Sequence, residues 1–112
     1  MSIIAPSPHA PVDPSMSAEF IEVHVFAEGR VQGVGYRDFV RRSAERFGVS
    51  GWVRNRRDGS VEACLLGPSG RVEAVIAEMR SGPRSAEVAN LRIETAQPNG
   101  SAMDGFAVRS TI

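Results

Sequence analysis

Between Gly29 and Arg37 the chain reads Gly-Arg-Val-Gln-Gly-Val-Gly-Tyr-Arg, and three glycines in nine residues permit a tight loop whose backbone N–H groups turn to one side. Such a nest binds anions, and the helical pattern that starts at Tyr36 adds the positive end of a helix dipole to the same place. Arg37 falls in the first turn of that helix, where a cation opposes the dipole; an anion gripped by its guanidinium fork accounts for the placement. Two familiar phosphate loops do not fit. The Walker pattern requires a Gly-Lys pair, and all the cations of this chain are arginine, while the dinucleotide pattern requires a third glycine where Asp38 stands. On residue types alone the run stays open between an anion cradle and a structural turn.

The other reactive side chains offer less. Without lysine there is no Schiff-base chemistry. Cys64 stands alone, which excludes a disulfide framework or a cysteine cage within one chain, and its strand-like neighbours predict a buried, inert thiol. His24 lies on the polar side of a strand pattern with no second titratable group placed beside it by spacing, so it is expected to be a surface residue. No metal or cofactor site is expected.

The elements that must hold the loop follow from periodicity. Ile21, Val23, Val25 and Ala27 alternate with Glu22, His24 and Glu28, the period of a half-buried strand that ends where Gly29 breaks it. Tyr36, Phe39, Val40, Ala44 and Phe47 share a helical face with Gly48 as the stop, and Asp38/Arg42 and Arg41/Glu45 are i,i+4 pairs on the polar side. Residues 49–57 and 60–66 flank Asp58-Gly59, which predicts a hairpin with a two-residue type I′ turn. A turn at 67–70 should precede a second helix built on Val72, Val75, Ile76 and Met79, closed by Gly82-Pro83. Strands at 88–95 and 106–110, separated by a turn-rich loop at 97–105, complete the chain. The order βαββαβ plus a short C-terminal strand predicts an α+β, two-layer sandwich of the ferredoxin-like type, with a mainly antiparallel (mixed) sheet and two helices on one face. Residues 1–18, with four prolines among serine and alanine, read as a disordered extension before a folded domain at 19–112.

Thirteen basic and thirteen acidic residues cancel, but residues 30–57 carry a net charge of +6 and their surroundings are acidic. Overall neutrality argues against a polyanion binder. The longest apolar run is far short of a membrane span, and no secretory signal pattern is visible, so a cytoplasmic protein without nucleic-acid or membrane partners is expected, as a monomer.

Residues 29–37, taken with Gly51-Trp52-Val53-Arg54-Asn55 and Asp58-Gly59-Ser60-Val61-Glu62, resemble the acylphosphatase family, whose signatures are a Gly-x-Val-Gln-Gly-Val-x-aromatic-Arg loop and a Gly-Trp/Phe-Val-x-Asn strand. Gly82-Pro83 and Phe106-Ala107-Val108-Arg109 also look like that family, so the similarity spans about residues 20–110. The resemblance implies metal-free, cofactor-free hydrolysis of the carboxyl–phosphate bond of a small acyl phosphate. It maps the phosphate-gripping arginine onto Arg37, the water-orienting asparagine onto Asn55, and the phosphate cradle onto Gln32, Gly33, Val34, Gly35 and Tyr36. That assignment is chemically sensible, because phosphoryl transfer with a carboxylate leaving group asks for positioning and charge stabilisation rather than a strong base. An asparagine amide can hold water without changing charge. Without the resemblance, Asn55 is an ordinary polar strand end. Two other readings stand beside it. One is a non-catalytic anion- or protein-binding module, comparable to the acylphosphatase-like domain of hydrogenase-maturation carbamoyltransferases. The other is an RNA-binding sandwich, disfavoured because residues 61–65 carry no stacking aromatic.

Overall fold

The structure is a computed structural model and describes residues 19–96 and 105–112; the extension expected at 1–18 and most of the loop at 97–105 lie outside the described residues. Seven elements follow in order: β1 (Phe20–Arg30), α1 (Tyr36–Phe47), β2 (Ser50–Asn55), β3 (Val61–Pro68), α2 (Ser69–Ser81), β4 (Glu87–Ala96) and β5 (Phe106–Val108). They form one five-stranded sheet in the order β4-β1-β3-β2-β5, antiparallel throughout except for the parallel β2–β5 pair. This is the expected α+β sandwich with two helices and a mixed sheet.

The alternation of β1 decides the layering. Val23, Val25 and Ala27 meet Val40 and Ala44 of α1 and Val72, Val75 and Met79 of α2 in one core, joined by Val53, Val61, Ala63 and Leu65. Burying each such Val or Leu is worth about 1.5–3 kcal/mol relative to exposure. Tyr36 is also buried there, its hydroxyl donating to the Met79 carbonyl at 2.7 Å and so tying the start of α1 to the end of α2. The other sheet face gathers Glu22, His24, Phe26, Trp52, Arg54, Glu62 and Cys64; Trp52, Cys64 and Leu66 form a separate buried cluster without helix residues.

Several boundaries differ from those expected. β1 continues past Gly29 to Arg30 because a bulge at Glu28/Gly29 absorbs the break while pairing with β4 persists. The expected turn at 67–70 is absent: β3 pairs as far as Pro68, opposite Phe20, and Pro68 then caps α2 directly. Proline suits both ends, having no N–H to offer a ladder or a first helical turn. The hairpin is not type I′. The Gly59 N–H closes onto the Arg56 carbonyl at 3.0 Å, Arg56 N–H donates to Ser60 at 2.9 Å, and Gly59 alone of the loop takes a positive φ, +94°. Asp58 explains this longer loop, since its carboxylate accepts from both the Ser60 N–H (2.9 Å) and hydroxyl (2.6 Å).

Candidate active site

The segment from Gln32 to Gly35 leaves β1 and turns into α1 through two glycines with positive φ, Gly33 at +74° and Gly35 at +80°. Only glycine takes this conformation without strain, and a Cβ built at either would meet nothing within 4 Å. The glycines are therefore required by backbone shape, and they leave open space above the loop. α1 has no side-chain N-cap; its first bond runs from Phe39 N–H to the Gly35 carbonyl at 3.0 Å. Among the described residues, no N–H from Gln32 to Asp38 donates to a backbone carbonyl. The loop and the positive end of α1 border an open cavity of about 310 Å³, small among ligand pockets (~300–1,000 Å³).

Val31, Gly33, Gly35, Tyr36, Arg37 and Asp38 line that cavity from the loop side, Asn55 from the end of β2 and Val108 from β5. Arg37 is half-buried, and its guanidinium has no hydrogen-bonding or ion-pair partner among the described residues. Asn55 Oδ1 is buried and likewise lacks a partner. A buried acceptor without a donor costs about 1–3 kcal/mol, so Asn55 Oδ1, in one cavity with a guanidinium that has no protein partner, marks a place built for something to occupy it. Asp38 is the acid at the rim. Its carboxylate is taken by Arg41 at 2.7 Å and Arg42 at 3.0 Å, and the Arg41 hydrogen bond holds its pKa below the ordinary value. Burial pushes the Tyr36 phenol well above its usual range, so it stays a neutral donor.

Of the residues expected from sequence, the structure brings Arg37, Asn55, Gly33, Gly35 and Tyr36 to one cavity. Gln32 and Val34 lie beside it rather than in its lining. The Gln32 side chain donates from Nε2 to the carbonyls of Arg56 (2.7 Å) and Ser60 (2.8 Å), strapping the loop to the β2–β3 hairpin that carries Asn55. The Val34 carbonyl accepts from the Ser85 hydroxyl at 2.9 Å. Asn55 is fixed from a third side, because its carbonyl accepts the Ile112 N–H at 3.2 Å. Val31, Val108 and Asp38 were not singled out for this cavity by sequence, and only the i,i+4 spacing of Asp38 with Arg42 hinted at how its charge is held.

Comparison with known proteins gives a consistent picture. The family model described as Acylphosphatase matches residues 23–108. An acylphosphatase of Haloarcula marismortui is 48% identical over 86 residues, which is 77% of this chain and 92% of that protein. One from Azoarcus is 44% identical over 90 residues, 80% of this chain and 88% of that protein. The crystal structure of acylphosphatase from Bacillus subtilis superposes with a TM-score of 0.76 at 28% identity, covering 80% of this chain and 98% of that one.

Proposed function

The chain belongs to the acylphosphatase family and is a hydrolase of acyl phosphates, and we propose that it acts through Arg37 and Asn55 by direct attack of water on phosphorus. The phosphoryl group sits over Gly33, Gly35 and the start of α1, where the N–H groups without carbonyl acceptors and the Arg37 guanidinium take its oxygens. Asn55 Oδ1 accepts a hydrogen bond from the attacking water and holds it in line; both water protons leave on the inorganic phosphate. The carbonyl–oxygen–phosphorus bridge breaks at the O–P bond, and a carboxylate leaves with the electron pair. Because that leaving group is weakly basic, the reaction needs neither a general acid nor a metal. Charge developing on the equatorial oxygens is met by Arg37, which follows Tyr36, whose hydroxyl anchors the start of α1 to the Met79 carbonyl.

The observation that carries this reading is the pairing in one cavity of a guanidinium without an acid and a buried amide oxygen without a donor. The cavity's size suits small acyl phosphates such as acetyl or carbamoyl phosphate, handled by a single chain. Cytoplasmic location fits the lone unpaired Cys64; no helix among the described residues is long and apolar enough to cross a membrane. The test is hydrolysis of acetyl phosphate in the presence of EDTA, wild type beside Arg37→Ala. Turnover is expected to persist with EDTA and to collapse in the variant, and equal rates in the two proteins would remove Arg37 from the mechanism.

A further inference from the structure

The sheet face away from the helices carries a group of side chains that hydrolysis does not use. On β1, Glu22 and His24 stand two residues apart and so point to the same side, and the register places Cys64 of β3 directly opposite His24. His24 Nε2 lies 3.3 Å from Glu22 Oε2, the Cys64 Sγ lies 3.8 Å from the same oxygen, and all three ligand atoms fall within 4.8 Å of one another. A tetrahedral ion with bonds of about 2.0–2.3 Å requires N···O and S···O separations of roughly 3.4 and 3.6 Å, so two edges of such a tetrahedron are already present.

We propose that Glu22, His24 and Cys64 form a binding site for one thiophilic divalent cation of the Zn²⁺ class. Imidazole, thiolate and carboxylate together are a zinc-type donor set, and three protein ligands leave a fourth position for water. The surroundings support the ligands. His24 Nδ1 faces Glu62 Oε2 at 3.4 Å, so a carboxylate can hold the Nδ1 proton and leave Nε2 free to bind, the usual outer arrangement of a metal-bound histidine. Trp52 packs edge-on against the imidazole, with centroids 5.8 Å apart at 86°, and fixes its plane. Charge also balances. The Glu22 carboxylate and the Cys64 thiolate cancel a dication, while Glu62 is already neutralised by Arg54 and Arg56, each at 3.0 Å. A cation bound at this point displaces the Cys64 thiol proton to solvent and turns the Cys64–Glu22 contact into shared ligation.

The full chain, stripped of metal, is titrated with Zn²⁺ by calorimetry and with Co²⁺ by absorption. One ion per chain is expected, with a thiolate-to-cobalt charge-transfer band in the near ultraviolet and a change in the fluorescence of Trp52, the chain's single tryptophan. Since Cys64 is the single cysteine, that band reports this site alone, and its absence from the folded wild type overturns the proposal. Cys64→Ser should abolish the band, and His24→Gln and Glu22→Gln should each weaken Zn²⁺ at least about tenfold while acetyl phosphate hydrolysis is kept. Zn²⁺ binding that is unchanged in Cys64→Ser and His24→Gln, as an ion held at His9 would be, also overturns it.

Discussion

Arg37 and Arg54 are the same residue in opposite circumstances. Arg54, on the helix-free face, pairs with the buried Glu62 at 3.0 Å and lies 4.6 Å over the Trp52 ring. Arg56 shares the same carboxylate and also stacks on Phe26, while Arg92 and Arg109 cover Phe26 and Trp52. Each charge there is answered within the protein. Arg37 stands in a cavity with an unsatisfied amide oxygen and is answered by nothing among the described residues. The contrast separates arginines whose charges are paired within the protein from one that is not, and under the proposed function that unpaired charge is the one that meets substrate. Substitutions should therefore split cleanly: activity without stability on one side, stability without activity on the other.

The largest effect is expected for Arg37→Ala, which removes the charge that meets the transferring phosphoryl group. A loss of about 10³-fold or more in kcat/KM, by analogy with arginines that stabilise phosphoryl transfer, should come with an unchanged urea midpoint, because no protein partner is lost. Asn55→Ala should cost about 10²–10³ in kcat, the size of losing one positioned polar group. Its unfolding free energy should stay equal or rise, since the variant removes a buried acceptor that has no donor. A marked fall in stability would show that Asn55 is a structural strand end.

Glu62→Gln should behave in reverse. Burial disfavours the Glu62 charge, but Arg54 and Arg56 outweigh it and hold the carboxyl below its ordinary value. A carboxyl lowered by folding contributes stability above its unfolded pKa and loses it as pH falls through the folded one. Wild type should therefore weaken in acid below the ordinary carboxylate range, and Glu62→Gln should be less stable near neutral pH by about 1–3 kcal/mol, with a flatter acid dependence and kcat within a few-fold. Urea unfolding at the two pH values measures both.

The same contrast explains what could be read from sequence. α1 was legible to the residue, Tyr36 to Phe47, because a helical period, i,i+4 charge pairs and a glycine stop are all local. The tight turn of the loop was legible for the same reason, since its glycines are local; whether it cradles an anion stayed open on residue types alone. Contacts made across the sheet were not legible. His24 was expected to have no titratable neighbour, yet register brings Glu62 within 3.4 Å from 38 residues away; Glu22, two residues away on the same strand face, was within reach of the alternation and was overlooked. The strap from Gln32 to the hairpin carbonyls spans 24 and 28 positions and has no sequence period at all. At Asp58-Gly59 a local rule failed because a side chain competed: the Asp58 carboxylate takes the Ser60 N–H and lengthens the loop. Likewise Pro68 reads as a turn residue, and only its pairing with Phe20 reveals that the strand runs straight into α2.

The smallest effect lies where the two regions' rules overlap, at Asp38. It lines the ligand cavity, yet its carboxylate is paired in the manner of the structural face, with Arg41 and Arg42. A bare acid at this rim would repel an anionic substrate strongly, whereas one already held by two guanidinium groups should repel weakly. Solvent weakens any repulsion from this exposed carboxylate, and the flanking arginines oppose most of what is left. Asp38→Asn should thus lower KM for acetyl phosphate by no more than about two- to threefold at low ionic strength, with kcat unchanged. At high salt, where screening acts within about 3 Å, the difference should vanish because the group is exposed. A fall in KM of tenfold or more would mean that the Arg41 and Arg42 pairs do not quench the charge in solution. A fall in kcat would mean that Asp38 touches the reacting group, which would move it from the rim into the machinery.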